Sequence, residues 1–126
     1  MSDGNARSTV LRAFEAFRTS LSSKNWEPFL DCFSDEVEFW ELVPGDFNGK
    51  NVGKNRLRTF YEEQGSRLDL KIEDPLSITV EGNQAVIEYE ESGTLDGQPF
   101  SNRVSISYVV EHGKIVLSRE YLGDMS

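Results

Sequence analysis

Apolar residues recur at helical spacing in the first half of the chain. Near the start they follow one another at intervals of four, three and four, as on one face of an α-helix, at Val10, Phe14, Phe17 and Leu21. Similar spacing returns around Trp26 and again around Phe60. The pattern therefore predicts helices over residues 9–22, 26–33 and 51–64.

Apolar and polar residues alternate from Val37 to Leu42, and again throughout the chain after Gly65. Short turn signals such as Asp96-Gly97 separate the later alternating runs, which is typical of hairpin-linked strands. Early helices followed by such strands indicate an α+β fold. We expect a single domain over residues 9–124, with three helices packed on one face of a strongly curved antiparallel sheet that forms a cone. Residues 1–8 are polar and are predicted to be disordered.

Composition excludes several classes of partner and site. The formal net charge of −9 disfavours nucleic acid and anionic membranes as partners. No apolar stretch approaches the ~20 residues that span a bilayer, and the polar start does not resemble a signal peptide, so a cytoplasmic location is expected. Cys32 is the only cysteine, which excludes an intramolecular disulfide and a multi-cysteine zinc site. The single histidine, His112, lies in a turn beside Gly113 and is interpreted as a solvated loop residue.

Strand parity directs three carboxylates, those of Glu41, Glu91 and Glu120, toward the apolar interior. Their neighbours on the same strand faces are Phe39 for Glu41, Tyr89 for Glu91, and Val116 with Leu122 for Glu120. An acid in apolar surroundings loses water, which raises its pKa and makes it a usable general acid or base near neutral pH. The alternative is that these acids lie at open strand ends or pair with lysine or arginine.

Three segments resemble SnoaL-like proteins of the nuclear-transport-factor-2-like superfamily. They are FSDEVEFW, FNGKNVGKNRLRTFYEE and GKIVLSREYLGD, and the resemblance extends from about Val10 to Asp124. It implies the cone-shaped α+β fold described above. Its relatives include steroid isomerases, polyketide cyclases and limonene epoxide hydrolase, so the resemblance leaves the activity open.

The resemblance also implies roles for individual residues. Glu120 stands where limonene epoxide hydrolase and SnoaL-type patterns have a last-strand aspartate acting as a base. Glu41 stands where steroid isomerases have a proton-shuttling aspartate, and Glu91 where the epoxide hydrolase has its second acid.

Some positions depart from these patterns. Tyr89 replaces an arginine of the epoxide hydrolase, Phe39 a tyrosine and Glu41 an asparagine. Phe17 and Ile106 replace the two oxyanion-hole donors of the steroid isomerase, a loss of roughly 3–4 kcal/mol per donor for an enolate.

The combined interpretation is a SnoaL-like lyase, isomerase or cyclase that acts on a small, mostly apolar molecule, neutral or cationic, without a metal or an organic cofactor. Glu120 would be the base, Glu41 or Glu91 the second acid, and Tyr89 or Tyr108 a hydrogen-bond donor. The residues expected to bind the substrate are Phe39, Tyr61, Ile106, Tyr108 and Phe17. The alternatives are a non-catalytic module for ligand binding or protein association, and an epoxide hydrolase.

A homodimer is also expected, formed through the outer face of the sheet. Ser105, Ser107, Val109 and Leu117 would point outward, and small or apolar outward residues suit a flat buried interface. The resemblance implies the same assembly.

Overall fold

The computed structural model describes residues 3–124, with side chains described from residue 5 to residue 123. The helices are α1 (Asp3–Ser23), α2 (Glu27–Leu30) and α3 (Lys54–Arg67). The strands are β1 (Phe33–Glu41), β2 (Gly49–Val52), β3 (Leu68–Ile72), β4 (Ser77–Glu81), β5 (Gln84–Leu95), β6 (Gln98–Glu111) and β7 (Lys114–Asp124). Within the described range, no helix is both long enough and apolar enough to cross a membrane.

The strands form one curved sheet in the order β2-β1-β7-β6-β5-β3, with β4 also paired to β5. The helices pack on this sheet, and the predicted α+β class is confirmed. The sheet is mixed, however, because β1 and β7 run parallel while the other pairs are antiparallel. These two strands lie at opposite ends of the chain, so no short hairpin forces them to be antiparallel.

Helix α1 begins earlier than the sequence analysis predicted. Residues 1–8 were expected to be disordered, whereas the helix starts at Asp3 and buries Ala6, which is 1% exposed. Ala6 lies four residues before Val10 and extends the same apolar face by one turn. The part of this prediction that concerns Met1 and Ser2 lies outside the described residues.

Strand β2 was not predicted, because residues 51–64 were expected to be helical. Gly49–Val52 instead pairs with β1, and α3 begins at Lys54. Gly53 separates the two elements with a φ of 106°, a conformation that residues with a side chain rarely adopt. The predicted helix over residues 26–33 is also shorter, since β1 already starts at Phe33.

Strand β7 contains an extra residue near its start. Val109 pairs with Leu117 and Val110 with Ile115, so Val116 has no partner in β6. Such a bulge reverses the inward parity along a strand. The inward residue before the bulge is therefore Ile115, which is completely buried, and the prediction that Val116 shares the face of Glu120 was wrong.

Candidate active site

A cavity of about 490 Å³ opens between the sheet, α1, α3 and the segment that follows β1. Most of its wall is apolar or aromatic, and three of its residues are glutamates. The carboxylates are those of Glu41, Glu91 and Glu120. This combination of an apolar wall with a few convergent polar groups is typical of a small-molecule site.

The register of two parallel strands places Glu41 beside Glu120. Phe39 lies opposite Ser118 and Trp40 opposite Arg119, so the next residues, Glu41 and Glu120, lie at the same level. Trp40 and Arg119 have the outward parity, and both glutamates therefore point into the cavity. Glu120 is also paired across the sheet with Ile106, which is buried.

Glu41 is the most deeply buried of the three acids, with 2% of its surface exposed. Burial, followed by the charge of Glu120 and a hydrogen bond with Glu120, raises the pKa of Glu41 far above its ordinary value. Glu41 is therefore protonated at neutral pH. Its Oε1 atom is buried and has no hydrogen-bond partner among residues 5–123.

Glu91 approaches the cavity from β5. It pairs across the sheet with Asn102, whose Nδ2 donates a hydrogen bond to Glu91 Oε1 at 3.3 Å. Burial, followed by the charge of Glu120, raises the pKa of Glu91 to about 7, although the hydrogen bond from Asn102 acts in the opposite direction. Glu91 can therefore either give up or take a proton near neutral pH.

Lysine and arginine do not neutralise these acids. Across residues 5–123, no basic side chain forms a salt bridge with Glu41, Glu91 or Glu120. Arg67 reaches the cavity wall, but its guanidinium group is bound to the carboxylate of Asp96, with a closest distance of 2.7 Å. The alternative in which the acids serve as permanent ion-pair partners therefore has no support among the described side chains.

Residues 11–118 match the family model of the SnoaL-like domain. The chain belongs to the SnoaL-like domain family.

Solved structures with the same fold include a nuclear-transport-factor-2-like protein from Anabaena variabilis, 31% identical, with a TM-score of 0.89 over 95% of this chain and 90% of the other. An epoxide hydrolase of the limonene epoxide hydrolase type from Mycobacterium tuberculosis is 20% identical, with a TM-score of 0.70 over 92% and 84% of the two chains. A proposed polyketide cyclase from Xanthomonas campestris pv. campestris is 14% identical, with a TM-score of 0.75 over 94% and 90%. A search of curated proteins finds no match.

In this SnoaL-like protein the residues predicted to bind substrate divide between two spaces. Tyr61 and Phe17 line the main cavity with the three glutamates. A second, smaller void of about 10 Å³ is also bordered by Tyr61 and Phe17. It is lined in addition by Tyr89, Ile106 and Tyr108. Phe39 borders neither space, since it is completely buried and packs against Phe60. One cavity lined by all of these residues, as the sequence analysis expected, is not formed.

The tyrosine hydroxyls remain neutral in this arrangement. Burial, followed by the charge of Glu120, raises the pKa values of Tyr61 and Tyr89 well above that of a free tyrosine, and it raises the pKa of Tyr108 in the same way. Tyr61 borders the main cavity, so it is the tyrosine placed to donate a hydrogen bond there. Tyr89 and Tyr108 border the smaller void instead.

Several cavity residues were missed by the sequence analysis. Asn102 has the same strand parity as Val104 and Ile106, so extending that alternation by one step would have found it. Trp26 was assigned to the buried side of α2 but also forms part of the cavity wall, next to Gly65. Its position depends on how α1 and α3 pack, which strand parity does not report.

Proposed function

We propose that this SnoaL-like protein is a lyase, isomerase or cyclase that moves a proton on a small, mostly apolar molecule that is neutral or cationic. The observation that carries the proposal is the convergence of Glu41, Glu91 and Glu120 on one cavity, where no lysine or arginine of residues 5–123 forms a salt bridge with them. Carboxyl groups held this way are costly in a core and are typical of acid–base sites.

Glu120 would act as the base. Its carboxylate is only half-buried and borders the cavity, so a ligand can reach it. In the proposed step a C–H bond of the substrate breaks and its proton moves to the Glu120 carboxylate. Glu91, with a pKa of about 7, would return a proton at a second position of the substrate. Tyr61 would orient a polar atom of the substrate from α3.

The apolar wall supports an apolar substrate. Trp26, Phe60 and Phe100 contribute aromatic surface, and Leu42 and Leu122 lie at the cavity with 57% and 39% of their surfaces exposed. Burying the apolar body of a substrate against this surface would contribute roughly 25 cal/mol per Å².

Epoxide hydrolysis is the second candidate. Burial raises the pKa of Glu91 to about 7, which favours this candidate, because a protonated acid on β5 could donate its proton to an epoxide oxygen while Glu120 activates water. Tyr89, however, stands where the resemblance leads one to expect an arginine. Non-catalytic ligand binding is the third candidate and requires only the cavity.

Hydrogen exchange in deuterated water tests the proposal before a natural substrate is known. Apolar cyclic ketones such as 2-tetralone and cyclohex-3-enone would be incubated with the protein, and C–H to C–D exchange would be followed by proton NMR. We expect exchange above the buffer rate that falls by about 10²–10⁴-fold in Glu120→Gln.

Glu88→Gln is the matched control, because Glu88 lies on the outer face of β5 and bonds Ser77. Exchange at the buffer rate with every ketone, combined with ligand-induced shifts of cavity resonances, would support the non-catalytic candidate. Incorporation of labelled water into a diol from styrene oxide would support the epoxide hydrolase.

A further inference from the structure

The cavity contains an excess of acid over base. Three carboxyl groups line it, and the one guanidinium group among its described residues, that of Arg67, is already bound to Asp96 through contacts of 2.7 and 3.1 Å. Although Glu41 keeps its proton, the charge of Glu120 beside it remains in the cavity. A ligand without positive charge would remove water from this charge and offer nothing to replace it.

The orphaned oxygen of Glu41 adds a second, independent observation. Oε1 of Glu41 is buried and has no hydrogen-bond partner among residues 5–123, so it is available to accept a hydrogen bond. Glu41 is 98% buried and borders the cavity, and no group of residues 5–123 donates to Oε1. A buried acceptor without a donor is unfavourable, so this oxygen indicates a ligand with an N–H or O–H group.

Aromatic rings lie close to the acids. Tyr61 lines the same cavity as Glu41 and Glu120. Its ring is 5.3 Å from that of Trp26 and 5.1 Å from that of Phe60, measured between centroids, and all three border the cavity. Aromatic faces attract organic cations, and the attraction grows when the site excludes water.

We propose that the cavity binds a protonated amine attached to an apolar body, with an N–H group donating to Glu41 Oε1 and the positive charge held between Glu120 and Glu91. The apolar body would lie against Trp26 and Phe60. This inference goes beyond the proposed function, because it concerns the charge of the ligand and requires no turnover.

Alternative ligands satisfy fewer of these groups. An alcohol could donate to Oε1 but would leave the charge of the pair unmatched. A carboxylate or phosphate would bring a like charge to Glu120. An ammonium group supplies both the donor and the opposite charge.

Three probes of nearly the same size separate these possibilities. Binding of N,N-dimethylbenzylamine, which is cationic at neutral pH, would be compared by calorimetry with that of neutral N,N-dimethylbenzamide and anionic phenylacetate. We expect the amine to bind at least about tenfold more tightly than the amide, and phenylacetate to bind most weakly. Equal affinity for the amine and the amide would overturn the inference.

Two variants locate the amine. Glu120→Gln and Glu91→Gln are each expected to weaken amine binding by about fivefold or more while leaving the affinity for the amide within about twofold. Glu88→Gln makes the same change of charge on the outer face of β5 and is expected to leave both affinities unchanged. Weakening of the amine by Glu88→Gln to the same extent would mean that only the net charge of the protein attracts it, which overturns the site.

The outcome is independent of catalysis. Selective amine binding without hydrogen exchange on ketones would support this inference and count against the proposed function. Exchange that depends on Glu120, without a preference for the amine, would do the reverse.

Discussion

Glu41 is held in a place where a carboxyl group weakens the fold. The strand register directs it into the cavity, and it keeps a proton because it is buried and because Glu120 lies beside it. Its Oε1 also loses its water without gaining a donor. Positions of this kind combine a cost in stability with a use in function.

Glu41→Leu is therefore expected to stabilise the protein. The substitution removes the unsatisfied oxygen and the cost of burying a carboxyl group, and leucine fits an apolar wall, so the free energy of unfolding is expected to rise by about 1–3 kcal/mol. Urea unfolding followed by circular dichroism would measure it. The comparison is Glu38→Leu on the outer face of the same strand, where the native carboxylate accepts a 2.7 Å hydrogen bond from Trp40 Nε1 and no gain is expected. A destabilised Glu41→Leu protein would show that this acid supports the fold.

Glu91 is expected to make stability depend on pH. Its pKa is about 7 in the folded protein and near 4.5 in an unfolded chain, so the folded state binds the extra proton in that window. The contribution of Glu91 to the free energy of unfolding is therefore fully present below about pH 4.5, and it is lost as the pH rises through 7. Glu91→Gln keeps a hydrogen-bonding side chain but cannot ionise.

At pH 9 we expect the Glu91→Gln variant to be more stable than the parent by on the order of 2–3 kcal/mol, and at pH 4 the two should coincide. Urea denaturation at a series of pH values would measure the difference. Parallel pH profiles for the two proteins would mean that Glu91 does not carry the raised pKa.

At the scale of elements, the strands were more predictable than the connections between them. Alternation identified the inward faces of β1, β5 and β6 because each strand is half-buried and its period is two residues. It could not reveal β2, whose pairing depends on the distant strand β1. Nor could it reveal the bulge at Val116, because Ile115, Val116 and Leu117 are consecutive apolar residues and hide the change of parity.

The same limit applies to the candidate site. Parity pointed Glu41, Glu91 and Glu120 toward one interior, and the structure brings all three to one cavity. Which aromatic side chains reach the main cavity depends on helix packing, which strand parity does not report. Tyr89 and Tyr108 were therefore expected at the main cavity, whereas they border the smaller void. Trp26 occupies a cavity wall for the same reason.

Gly65 shows how the helices shape that wall. It lies in the last turns of α3, and an added Cβ would lie inside van der Waals contact with the ring of Trp26. Alanine normally stabilises a helix interior by about 0.5–1 kcal/mol relative to glycine. Here the clash is expected to reverse the sign, because overpacking costs about 1–3 kcal/mol.

Gly65→Ala is therefore expected to lower the free energy of unfolding and to change the fluorescence of Trp26, measured in a Trp40→Phe background that removes the other tryptophan. Ser66→Ala, on the exposed side of the same turn, should leave the fluorescence unchanged. An unchanged spectrum in Gly65→Ala, together with a stability equal to or above that of the parent, would contradict the close contact.

At the scale of the whole molecule, the outer face of the sheet exposes several large apolar side chains. Four large apolar side chains on it are 36–55% exposed, at Trp40, Val52, Val86 and Tyr121. Small residues, Ser105 and Ser107, lie between them on β6. Charges of both signs border the patch, including Glu38 with Lys50 and Glu90 with Arg103. We propose that this face pairs with the same face of a second copy, since a patch with both signs of charge can complement itself about a two-fold axis.

Light scattering at micromolar concentration is expected to report a dimer, and the double substitution Val86→Asp with Tyr121→Asp is expected to produce a folded monomer. An aspartate at either position would be buried against its counterpart in the other copy, and an interface of standard size, about 800 Å² per partner, tolerates buried unpaired charge poorly.

The matched control is Leu76→Asp, which also replaces an exposed apolar side chain, 55% exposed, but in the connection between β3 and β4. The control should remain dimeric. Circular dichroism would establish that both variants are folded. We expect the double variant to fold, because neither Val86 nor Tyr121 contributes to the core on the opposite face. A parent protein that is monomeric at these concentrations, or a double variant that remains dimeric, would exclude the outer face as the interface.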